Sequence, residues 1–124
     1  NLMDARIPDN TGYQPIDEPI APDGPAAYFS TLPVKAIAER IQSAGLPAVV
    51  SNTAGTYVCN NLLYTLLHTA ALEYPGLRGG FLHVPYAIEQ LPGKPGDTFG
   101  MKLCDIARAL TCAVEAIAEH LLER

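Results

Sequence analysis

Apolar residues recur at helical spacing in three stretches of the chain. Over 31–44 the stripe is Val34, Ile37, Ala38 and Ile41, a rhythm that predicts an amphipathic helix. Ser30 or Thr31 is placed to cap it, Pro33 suits its first turn, and Gly45 can end it. A second helix is predicted from about 56 to 73, with Val58, Leu62, Leu63, Leu66, Leu67 and Ala70 on its core side and Tyr74-Pro75-Gly76 as its stop. A third runs from about 100 to 122 and buries Leu103, Ile106, Leu110, Val114, Ile117 and Leu121. Two short apolar runs, 47–50 and 80–84, read as buried strands, the second halted by Pro85. Strands alternating with helices predict α/β layering, with helices covering a sheet.

The first 25 residues break this pattern. Pro8, Pro15, Pro19, Pro22 and Pro25 exclude regular helix there, since each fixes φ and lacks a backbone donor. Asp9-Asn10-Thr11-Gly12 signals a turn. The result is a short strand end followed by a long irregular arm, of the kind that is functional or packed on a partner. Residues 91–98, rich in proline and glycine, form a second loop.

Length and composition narrow the class. At 124 residues the chain is one domain at most, and 48% hydrophobic with 17% charged residues lets it build a core. A net charge of −5 without a basic stripe excludes binding to nucleic-acid backbones and anionic membranes. No apolar run approaches the ~20 residues of a membrane span, and no charged-then-apolar leader opens the chain. Three cysteines without CxxC spacing indicate thiols in a reducing compartment rather than a disulfide framework. A cytoplasmic location is expected. The opening Asn1-Leu2-Met3 has no initiator methionine and starts in an apolar run, so the chain is expected to be the C-terminal piece of a longer protein.

The chemistry concentrates in Ser51-Asn52-Thr53-Ala54-Gly55-Thr56-Tyr57-Val58-Cys59-Asn60 and Phe81-Leu82-His83-Val84-Pro85-Tyr86. A thiol becomes a useful nucleophile when its thiolate is favoured and a base lies within reach. The start of a helix supplies the first condition through its N–H groups and partial positive charge, and His83 can supply the second. Cysteine is by default a small buried hydrophobe; Cys104 and Cys112, inside the third helix, are read that way. His83 at a strand end is as readily a core histidine as a base. His68, mid-helix, and His120, near a helix C-terminus, are read as structural. Arg6 is either an ordinary surface arginine or a guanidinium aimed at developing negative charge. No His, Cys or carboxylate pair has zinc spacing.

Taken together, these segments resemble the pyroglutamyl peptidase I family, also called pyrrolidone carboxyl peptidases. The likeness rests on Asp4-Ala5-Arg6-Ile7-Pro8-Asp9-Asn10, Gln14-Pro15-Ile16-Asp17, Gly24-Pro25-Ala26-Ala27-Tyr28-Phe29-Ser30-Thr31-Leu32-Pro33, the Cys59 run, and Gly80-Phe81-Leu82-His83-Val84-Pro85-Tyr86 with Glu89-Gln90. The interval of 24 residues from Cys59 to His83 matches the family pattern. The resemblance implies a three-layer α/β/α sandwich with a mixed central sheet, of which residues 1–124 would be the C-terminal portion. It implies a cofactor-independent, cytosolic thiol exopeptidase, often tetrameric, that takes N-terminal pyroglutamyl residues from peptides. Cys59 would be the nucleophile and His83 the base, then acid. Arg6 and the Cys59 backbone N–H would stabilise the oxyanion, and Tyr57 would line the lactam pocket. The family's third catalytic residue, a glutamate, would lie before Asn1; Glu89 does not match its position. An N-terminal half, with aromatics that close over the pyroglutamyl ring, is likewise expected outside this sequence.

Other readings remain at this point. One is another Cys-His hydrolase or acyltransferase of the same fold, and a second is an inactive truncated fragment. A third is a non-catalytic module whose 51–56 turn binds an anion while Cys59 is inert.

Overall fold

The computed structural model of the chain describes residues 1–122. They form helices α1 (Val34–Ser43), α2 (Val58–Glu73) and α3 (Leu103–Leu122), and strands β1 (Tyr86–Ala87) and β2 (Gly100–Met101). The strands pair in parallel, Tyr86 with Gly100 and Ala87 with Met101. The α/β class expected from the alternation stands. The chain divides into two compact units, Asn1–Leu32 with Ser51–Phe81, and Pro33–Val50 with the chain from Leu82 onward.

In the first unit the proline-rich arm packs on α2. That helix buries Tyr64, Leu67 and Ala70, and the arm closes over this face with aromatic and polar contacts. Tyr64 donates its hydroxyl to the Pro25 carbonyl at 2.7 Å. The Tyr28 ring meets Tyr64 edge-on at 5.1 Å, and the Tyr28 hydroxyl lies 2.9 Å from His68 Nδ1. Burial, with the neighbouring Tyr28, raises Tyr64 above the usual tyrosine value. Ser30 and Thr31 then tie the arm to the chain leaving α2. The Thr31 amide donates to the Gly79 carbonyl at 2.9 Å, and Gly79 returns its N–H to Thr31 Oγ1 at 2.8 Å. A Cβ on Gly80 would sit 2.6 Å from Leu32 Cδ1 and from Ser30 Oγ, so the two strands of chain approach as only glycine allows.

In the second unit α1 lies on α3. Ile37, Ala38 and Ile41 of α1 are buried, as are Ile106, Cys112, Ala113 and Ala116 of α3. The small side chains of Ala113 and Ala116 permit close approach of the two helices. Arg40 bonds Glu119 and lies 3.9 Å from Glu115, and Arg108 donates to the Ala44 carbonyl at 3.2 Å. These exposed ion pairs fix orientation more than they stabilise.

The structure departs from the sequence pattern in four places. Residues 47–50 join no ladder and are mostly exposed, with Val49 88% accessible and the Ala48 carbonyl accepting from Gln42 Nε2 at 2.7 Å, and 80–84 join no ladder either. A strand is defined by a ladder with a neighbouring strand, and among the described residues the paired strands are Tyr86–Ala87 and Gly100–Met101. The expected faces of α2 and α3 hold only in part: Leu67, Ala70 and Ile106 are buried as expected, while Val58, Leu62, Leu66, Leu103, Leu110, Val114 and Leu121 are exposed. Cys104, expected in the core, is exposed, while Cys112 is buried as expected. Finally, Pro33 takes the N-cap of α1 with no side-chain cap, because Ser30 and Thr31 are engaged at Gly79.

A Cβ added at Gly24 would collide with the Tyr64 hydroxyl and meet Ala21 Cβ at 3.0 Å. Gly24→Ala is therefore expected to lower stability by about 1–3 kcal/mol. Gly96→Ala, where a Cβ meets nothing within 4 Å, should stay within about 0.5 kcal/mol. Urea midpoints of the two variants check the difference.

Candidate active site

The turn before α2 is built by its own hydroxyls. Ser51 Oγ donates to the Thr53 carbonyl at 2.8 Å, and Thr53 Oγ1 accepts the Gly55 N–H at 3.0 Å. Such side-chain turns replace the bonds a strand or helix would make. Gly55 holds φ at 79°, a conformation other residues adopt with strain, and this lets the chain reverse into the helix. The first helical bond runs from the Asn61 N–H to the Tyr57 carbonyl at 3.0 Å.

Cys59 is the second residue of α2, half-buried, on the first turn. That turn carries no acidic residue, and Tyr57 at the N-cap makes no side-chain capping bond. The positive end of the helix is thus available to negative charge arising near Cys59. Tyr57, also half-buried, directly precedes the helix.

Arg6 belongs to the same unit as Cys59 and is exposed. Its segment is held beside the turn, for Asp4 donates its N–H to the Thr56 carbonyl at 2.8 Å. Beyond Arg6 the chain closes a tight loop around the Asp9 carboxylate. Oδ1 accepts the Thr11 N–H at 2.8 Å, the Thr11 hydroxyl at 2.8 Å and the Tyr13 N–H at 3.0 Å. Tyr13 in turn donates to Glu18 Oε2 at 2.7 Å, which raises the phenol above its usual value.

His83 lies in the second unit, exposed, on the irregular stretch that precedes β1. The first unit thus brings Arg6's segment, Tyr57 and Cys59 together, and His83 is carried by the other. Thr56 and Asn60, which bond the chain near Arg6, were not singled out from sequence; their only signal was adjacency to Cys59 at a helix start. Among the described residues, no group of three or more His, Cys, Asp or Glu could hold a metal ion, and no helix is long and apolar enough to cross a membrane.

Comparison with known proteins adds to this geometry. Residues 1–120 match the family model described as pyroglutamyl peptidase. The pyrrolidone-carboxylate peptidase of Streptomyces coelicolor is 67% identical over 124 residues, 100% of this chain and 56% of the relative. That of Streptococcus pneumoniae is 55% identical over 120 residues, 97% of this chain and 56% of the relative. Among solved structures, pyroglutamyl peptidase I from Bacillus amyloliquefaciens superposes with a TM-score of 0.90 at 47% identity, covering 95% of this chain and 55% of that one. The pyrrolidone carboxyl peptidase of Thermococcus litoralis gives 0.93 at 43% identity, covering 99% and 58%. The chain spans little more than half the length of the relatives it matches.

The loop after Arg6 has a pH signature. The Thr11 hydroxyl, then the Thr11 and Tyr13 amides, hold the Asp9 carboxyl below its usual value. An unfolded aspartate titrates near ~3.9, so the loop's stabilisation is present above about pH 4 and is lost as pH falls through the lower folded value. Carboxyl chemical shifts of Asp9 against pH should show the depression, and Thr11→Val should move the midpoint upward.

Proposed function

Because the chain belongs to the pyroglutamyl peptidase family, we propose that the protein acts as a cysteine exopeptidase removing N-terminal pyroglutamyl residues from peptides. The observation that carries this reading is the placement of Cys59 on the first turn of α2, behind a hydroxyl-built turn, in a chain that matches the family along residues 1–120.

The chemistry assigns each residue a role. His83 accepts the Cys59 thiol proton, and Sγ attacks the carbonyl carbon of the pyroglutamyl peptide bond, sending an electron pair onto oxygen. The oxyanion is stabilised by the Cys59 backbone N–H and the Arg6 guanidinium, donors that need no reorganisation when charge appears. Collapse breaks the C–N bond, and His83 returns the proton to the leaving amine. Water, deprotonated by His83, then cleaves the thioester and releases pyroglutamate. Tyr57 lines the lactam pocket. An uncharged ring needs no carboxylate partner, in keeping with an apolar slot and few polar contacts. The mechanism requires no cofactor.

We further propose that residues 1–124 are the C-terminal portion of one larger catalytic domain. The relatives are longer, and bulky apolar faces of α2 and α3 stand exposed, surfaces of a kind that normally meet other protein. The third catalytic group, a glutamate orienting His83, would lie in the remainder. A homo-oligomer working in the cytoplasm completes the proposal.

In the native-length protein, Cys59→Ala should lower fluorophore release from a pyroglutamyl coumarylamide by at least about 10³-fold. Activity that survives the substitution overturns the mechanism. Iodoacetamide should label Cys59 faster than Cys104, although Cys104 is the more exposed; rates ordered by exposure would remove the nucleophile assignment. The mass of the native polypeptide should exceed 13.3 kDa, and an active monomer of that mass would refute the larger domain.

A further inference from the structure

Two stretches far apart in sequence meet in the first unit. Residues 2–5 run extended, and their backbone groups alternate in direction as those of a strand do. Met3 donates its N–H to the Glu18 carbonyl at 2.7 Å and accepts the Glu18 N–H at 3.0 Å, while Ala5 donates to the Pro15 carbonyl at 2.9 Å. Leu2 and Asp4 face the other way. Asn60 Nδ2 donates to the Leu2 carbonyl at 3.0 Å. Thr56 accepts the Asp4 N–H at 2.8 Å on its carbonyl and donates its hydroxyl to the Asp4 carbonyl at 2.9 Å. Every one of these bonds on that side comes from a residue that brackets Cys59.

Asn60 is unusual in this use. In a first helical turn an asparagine amide ordinarily bonds nearby backbone, yet here it reaches a carbonyl 58 residues away. Arg6 follows Asp4 across Ala5, which is only 3% exposed, so the link from the bonded segment to Arg6 is short and anchored.

We infer that Asn60 and Thr56 are positioning residues that register the segment ending in Arg6 against the turn that carries Cys59. This rests on the reading of Arg6 as the oxyanion-stabilising group. With the register held, guanidinium and thiol meet the same carbonyl; with it loosened, the thiol is retained and the stabilising charge drifts.

The experiment uses native-length protein with Asn60→Leu, which is close in size, removes the amide donor and adds no charge beside Cys59, and Thr56→Val, which keeps the shape and removes the hydroxyl. Hydrogen exchange at the Asp4 amide is read alongside kcat and KM for a pyroglutamyl coumarylamide. Exchange should accelerate by about tenfold or more in each variant. The value of kcat should fall by about tenfold with KM changed less than about twofold, the pattern of an interaction made in the transition state. In an Arg6→Ala background the same substitutions should cost less than about twofold, since the two effects act as one unit. Additive losses, or unchanged exchange, overturn the inference. A wild-type protein that does not hydrolyse the substrate refutes the peptidase reading instead, and Asp4 exchange then decides the register alone: acceleration upholds it and no change removes it. If Asn60→Leu does not fold, Thr56→Val decides in the same way.

Discussion

The extended run of residues 2–5 is the constraint on which the first unit turns, because its backbone is shared between two neighbours. Its odd residues bond the arm at Pro15 and Glu18, and its even residues bond Thr56 and Asn60. An internal hydrogen bond is worth only about 1 kcal/mol net, so no single contact holds the arrangement. The alternation does, since a slip by one residue would send every bond to the wrong side. Asp4 and Arg6 thereby acquire a defined place beside the turn into α2.

The helix that receives this segment has two separate jobs. Its first turn presents Cys59 at the positive end of the helix, without an acidic side chain to compete there. Farther along, Tyr64, Leu67 and Ala70 are buried beneath the arm, where Tyr28 and His68 complete a polar and aromatic contact. The arm therefore is not slack chain. Its prolines forbid helix, and its carbonyls and aromatic rings instead fasten the chain that leads to Arg6 onto the helix that carries the thiol.

Where α1 and α3 pack, Ile37 and Ile41 of α1 and Ile106 are buried together with the small Ala38, Cys112, Ala113 and Ala116, while Leu110 and Val114 face outward. Periodicity detects a stripe of bulky side chains but cannot say which surface covers it. In relatives nearly twice as long, α/β packing has more chain to draw on, and the bulky stripes belong to that larger surface in the proposal made above.

The sequence by itself determined the three helices, to within a few residues at each end, because their apolar spacing and their Gly and Pro stops are local properties. It also determined the family, since ordered motifs from Asp4 to Gln90 carry their meaning in residue identity and interval. The placement of Cys59 at a helix start was legible for a local reason, and the roles of Cys59, His83, Arg6 and Tyr57 belong to the proposal made above. Tertiary structure decided the rest. The runs 47–50 and 80–84 have strand composition but no ladder, and a strand is defined by a neighbour that its own sequence does not name. The buried faces of α2 and α3 depend on what approaches them, which periodicity does not contain. Asn60 and Thr56 became visible only when the fold brought residues 2–4 beside them, for a hydrogen bond across 58 positions leaves no local trace.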